Sequence, residues 1–106
     1  ARRILANVAL DDFFDAIVDG LTVSKAKPDP EVFLKGAELI DAKPEDCLVF
    51  EDSIAGIEAA NRGNMLSIGI GEVQTLSKAR YCFKDFTEIK EEFFLKVGFQ
   101  FSEIKN

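Results

Sequence analysis

The chain has 106 residues, enough for one small domain. Its net charge of −6 and its lack of histidine exclude a basic nucleic-acid stripe and Ser–His or Cys–His catalysis. Apolar residues make up 47% and charged residues 30%, and no apolar run approaches the ~20 residues that span a bilayer.

In chain order, residues 1–10 read as a helix, with Ile4, Leu5 and Val8 on one face. No capping residue and no initiator methionine precede them, so the chain is expected to begin inside a helix, as a piece of a longer protein. Residues 15–20 form a short buried strand ended by Gly20, followed by a loop to Asp29. A helix then opens with Asp29 as N-cap and Pro30 in the first helical position. Phe33, Ala37 and Ile40 keep its spacing, and Pro44 marks its stop. Residues 47–50 read as a second buried strand of the parallel-sheet type. Ser53 caps a helix over 54–62, which ends at Gly63 and carries the small residues Ala55, Gly56, Ala59 and Ala60. Residues 66–70 give a third strand and 81–83 a short fourth. Ile89, Phe93 and Val97 predict a last helix, and the tail with Phe99 and Phe101 carries no assignment.

Strands alternating with helices define an α/β fold with a parallel sheet in one domain. Cys47 and Cys82 lie in short apolar runs without metal-ligand spacing. They read as buried free thiols of a protein in the reducing cytoplasm. No secretory signal pattern is read at the start.

In open α/β sheets ligands bind beyond the carboxyl ends of the strands. Glu51 and Asp52 directly follow the strand at 47–50, where two carboxylates must be solvated, paired or bound to a metal. Oxygen ligation by one or two carboxylates suits Mg²⁺. Neighbouring side chains on a strand point to opposite faces, which favours Asp52 as the direct ligand and Glu51 as a water-mediated or outer partner. A solvated pair facing the dipole of the next helix explains the same spacing equally well. Lys27 stands in Lys25-Ala26-Lys27-Pro28-Asp29-Pro30, where two prolines stiffen the backbone. With Asp29 at the anion-attracting end of its helix, a lysine must supply the charge for a phosphate oxygen or a nucleophilic carboxylate. The plainer alternative is a solvated loop lysine. Ser53 is explained by capping alone, and Gly69 and Gly71 are a weak turn signal.

Together, Val23-Ser24-Lys25-Ala26-Lys27-Pro28-Asp29-Pro30-Glu31-Val32-Phe33 and Val49-Phe50-Glu51-Asp52-Ser53-Ile54-Ala55-Gly56-Ile57-Glu58-Ala59-Ala60 resemble the haloacid dehalogenase (HAD) superfamily, and within it the β-phosphoglucomutase family. Residues 13–18 and 68–71 fit the same pattern. The resemblance implies a Rossmann-like parallel sheet with an inserted helical cap. It implies an aspartate nucleophile on the first strand, a second aspartate as acid and base, and Mg²⁺ as cofactor. It makes Lys27 the lysine that contacts the phosphoryl group and the nucleophile, Glu51 and Asp52 the acidic metal pair, and a sugar phosphate the partner; the charge and the short apolar runs argue for no nucleic-acid or membrane partner.

No Asp-x-Asp-Gly motif follows an N-terminal strand, and the cap and the Ser/Thr phosphate motif are also missing. Residues 1–106 are therefore expected to be the C-terminal portion of a HAD core whose first strands and cap are missing. The missing part is expected to supply two strands between those at 15–19 and 47–50. The chain alone is expected to be inactive, to hold Mg²⁺ weakly or not at all, and to self-associate through uncovered strand edges.

Overall fold

A computed structural model describes residues 3–6, 16–17 and 22–98. Among these residues, five strands and three helices follow in the order β1 (Arg3–Ala6), β2 (Ala16–Ile17), α1 (Glu31–Leu39), β3 (Cys47–Glu51), α2 (Ile54–Arg62), β4 (Leu66–Ile70), β5 (Tyr81–Phe83) and α3 (Glu91–Lys96). Short 3₁₀ turns lie at Pro44–Asp46 and Phe86–Glu88. The sheet order is β2-β1-β3-β4-β5, and every neighbouring pair is parallel. This is the α/β, Rossmann-like arrangement that the alternation of elements predicts.

β3 is buried along its whole length because both faces of the sheet are covered. Cys47 and Val49 join Val32, Phe33, Ala37, Ala59, Ala60 and Met65 in a core beneath α1 and α2. Leu48 and Phe50 point the other way, into a second core with Ile4, Ile68, Phe94 and Val97. The side-chain alternation of β3 places Glu51 on the α1–α2 side, with Cys47 and Val49. α2 presents Gly56, Ile57, Ala59 and Ala60 to the sheet. Across β4, buried Ser67 donates to Asn61 Oδ1 (2.7 Å) and accepts from the Arg80 amide (3.1 Å), tying the loop after β4 to the end of α2.

One expectation is corrected here. Residues 3–6 form a strand and not a helix, in register from Arg3 opposite Cys47 to Ala6 opposite Phe50. The spacing of Ile4, Leu5 and Val8 suits a helix, but a strand at this position gains ladders to both β2 and β3 and buries Ile4 completely; tertiary pairing overrides local periodicity. Within this chain β1 stands between β2 and β3 in the sheet. Smaller shifts occur at element ends. α1 starts at Glu31 with Pro30 as its capping position, while Asp29 Oδ1 accepts from the Glu31 amide (3.0 Å). α1 ends at Leu39, before Pro44. In α3 the buried residue is Phe94. Asp11, Asp12, Asp15, Gly20, Phe99 and Phe101 lie outside the described residues.

Candidate functional site

The carboxyl end of β3 brings Lys27 and Glu51 together. Lys27 Nζ lies 3.1 Å from Glu51 Oε2; the glutamate side chain is fully buried and the lysine retains 25% exposure. The lysine also lies over the buried Phe33 ring, 5.9 Å from its centroid, a cation–π distance. One of the three ammonium donors goes to Glu51. The remaining two donors are free to serve other acceptors at this corner.

The loop that carries Lys27 is pinned by another carboxylate. Glu31, in the first turn of α1, accepts from the Ser24 amide (3.0 Å), the Ser24 hydroxyl (2.8 Å) and the Lys25 amide (2.9 Å). These bonds, the Ser24 amide first, hold its carboxyl below the usual carboxylate range. The Asp29 amide donates to Ala26 O (3.0 Å) and closes the turn around the Lys27-Pro28 segment, whose peptide bond is cis.

Glu51 turns back over the start of α2. Its Oε1 accepts from the Asp52 amide (3.0 Å), the Ser53 amide (3.1 Å) and the Ser53 hydroxyl (3.0 Å). The Ser53 hydroxyl in turn accepts from the Gly56 amide (3.0 Å). The carboxylate thus has donors on both oxygens, which a buried charge requires. It also lies at the positive end of α2. Asp52 is exposed, and among the described residues its carboxylate has no recorded hydrogen-bond or ion-pair partner. The adjacent carboxylates therefore have separate environments, one enclosed and saturated, the other open to solvent.

Sequence reasoning missed two participants. It assigned Ser53 to capping alone; the cap bond is present, but the hydroxyl also donates to Glu51. Gly56 was read as a small residue for close packing, yet a Cβ there would lie 2.0 Å from Glu51 Cδ and 2.1 Å from Cγ. The spacing Glu51-Asp52-Ser53-x-x-Gly56 was the available signal.

Among the described residues no group of three or more His, Cys, Asp or Glu side chains converges as a metal site, and no helix is long and apolar enough to cross a membrane. The chemistry of the donors fits Asp52 as one oxygen ligand to a hard cation such as Mg²⁺. Both Glu51 oxygens already have protein donors, which suits an orienting role beside such a ligand.

Residues 1–64 match the family model for haloacid dehalogenase-like hydrolases, and the chain belongs to that family. It is 38% identical over 92 residues to β-phosphoglucomutase of Bacillus subtilis (strain 168), covering 87% of this chain and 41% of that protein. It is 30% identical over 93 residues to validoxylamine A 7'-phosphate phosphatase of Streptomyces hygroscopicus subsp. limoneus, covering 85% and 44%. The crystal structure of β-phosphoglucomutase from Clostridium difficile matches with a TM-score of 0.71 and 36% identity, over 79% of this chain and 38% of that one. The chain thus spans about two fifths of the length of these relatives. They are a phosphomutase and a phosphatase, and enzymes of this family generally use Mg²⁺.

Proposed function

We propose that residues 1–106 are the C-terminal portion of a HAD core in a magnesium-dependent phosphotransferase resembling β-phosphoglucomutase. The parent protein is read as an isomerase that interconverts β-glucose 1-phosphate and glucose 6-phosphate through an aspartyl-phosphate. The carrying observation is the Lys27–Glu51 pair beside exposed Asp52 at the carboxyl end of β3, where α/β sheets bind ligands. Lys27 holds a phosphoryl oxygen with its exposed donors. Asp52 is a metal ligand, and Glu51 fixes the lysine while contributing to the metal site from behind Asp52. Mg²⁺, when bound, neutralises charge on the phosphoryl group. The nucleophile and the acid/base aspartate belong to the rest of the parent protein, so this chain alone is inactive, holds the ion weakly and associates through its strand edges. Cys47 and Cys82 form no disulfide, and we place the protein in the cytoplasm.

A phosphatase of a small phosphate ester is the second reading, supported by the validoxylamine phosphatase relative at similar coverage. The full-length parent, assayed with β-glucose 1-phosphate and catalytic glucose bisphosphate, is expected to form glucose 6-phosphate, while the 106-residue chain shows no turnover. Release of inorganic phosphate without isomer would select the phosphatase reading. Neither product from the parent would leave a non-catalytic binding module and end the enzymatic reading.

A further inference from the structure

Glu51 is the one buried carboxylate of the described core, and the space it occupies is made by a residue five positions further on. A Cβ built on Gly56 would lie 2.0, 2.1 and 2.2 Å from Glu51 Cδ, Cγ and Oε2. All three are far inside contact distance, so one group must move. In solvent a glutamate would swing aside at little cost. Here the side chain is fully enclosed, and moving it strips Oε1 of the Asp52 amide, the Ser53 amide and the Ser53 hydroxyl. It also strips Oε2 of Lys27. The same glycine donates its amide to Ser53 Oγ, whose hydroxyl donates to Glu51. An unbroken path of contacts therefore runs from Gly56 through Ser53 and Glu51 to the Lys27 ammonium.

We infer that Gly56 is a positioning residue for Lys27: the missing side chain at Gly56 lets Glu51 fold over the first turn of α2 and hold the lysine at the carboxyl end of β3. Calling that lysine phosphate-facing rests on the function proposed above; the coupling itself rests only on the contacts. A packing or propensity role makes a different forecast. Alanine is the better helix former, so a glycine kept only for helix packing would act on α2 and leave Lys27 where it is.

The test is a double-mutant cycle of Gly56→Ala and Glu51→Ala in the full chain, because Glu51→Ala removes all three clashing atoms. Each variant is pulse-labelled with an amine-acylating reagent, and modification is read residue by residue by mass spectrometry, with Lys43, Lys78 and Lys84 as internal references. Lys27 labelling is expected to rise several-fold over the references in Gly56→Ala. It should rise by a similar factor in Glu51→Ala and gain nothing further in the double variant. Unchanged Lys27 labelling in Gly56→Ala, or an equal extra increase in the Glu51→Ala background, would overturn the inference. If Gly56→Ala fails to fold and every lysine labels together, the double variant decides. Recovery of the references in the double variant supports the steric coupling, and continued unfolding refutes it. None of these readouts needs turnover, so a failed mutase assay and a failed coupling are told apart.

Discussion

At the carboxyl end of β3, one enclosed carboxylate collects four donors. Around β5 and α3 the chain is held instead by rings. Phe93 stands edge-on to Tyr81 and Phe83, each at 5.0 Å. Phe50 lies 5.7 Å from Phe86 and 6.2 Å from Phe94, and Lys96 covers Tyr81 at 5.3 Å. Both regions grip the same strand, since Phe50 and Glu51 are consecutive and point to opposite faces. The ring contacts are summed over area and tolerate small shifts. The carboxylate contacts are directional, and losing one leaves a buried charge exposed to its own desolvation cost. Both faces of β3 bury apolar side chains, and the Glu51 face in addition fixes the placement of particular polar atoms.

The comparison is broken most sharply from the ring side. Phe50→Ala removes a fully buried side chain from the second core and is expected to destabilise the chain by about 3–5 kcal/mol, measured by urea unfolding. A loss below about 1 kcal/mol would show that the ring face does not carry the fold. Lys27→Met tests the polar side. Removing a partner from a buried pair costs about 3–5 kcal/mol, and the lysine's partial exposure lets water reach the corner, so a loss of about 2–3 kcal/mol is expected. Restored stability on adding Glu51→Gln would confirm that the loss comes from an unpaired charge.

The smallest effect comes from pH. Glu31 has a carboxyl lowered by the Ser24 amide, the Ser24 hydroxyl and the Lys25 amide. Its stabilising contribution is therefore complete above the ordinary value of 4.5 and is lost as pH falls through the lowered folded value. Hydrogen exchange at the Ser24 and Lys25 amides, corrected for intrinsic rates, should accelerate in acid, while the Phe50 amide in β3 changes less. Equal acceleration at both places would mean that acid opens the whole chain and not the loop.

The parts of the molecule that were legible from sequence are those set by short-range chemistry. The Ser53 cap and the stop at Gly63 fix α2, and the uninterrupted apolar run from Cys47 fixes β3. The motif around Lys27 and that at Glu51-Asp52 also pointed to the family. Arg3–Ala6 was misread because its assignment depends on two neighbouring strands and not on its own spacing. The split between Glu51 and Asp52 followed from strand alternation. The Glu51 fold-back did not, because it requires knowing that Gly56 lies across from the carboxylate in space.

The strand order also carries a consequence for assembly. Pairing β3 with β4 closes a loop that contains only α2, whereas pairing β1 with β3 encloses β2 and α1. The larger loop loses more chain entropy on closing, and non-local parallel pairing is slow. β3, α2 and β4 thus form a unit whose closure costs less than pairing β1 with β3. On that ordering β1 joins an edge of β3 that already exists, and until it does, the backbone groups on that side of β3 remain open to another strand.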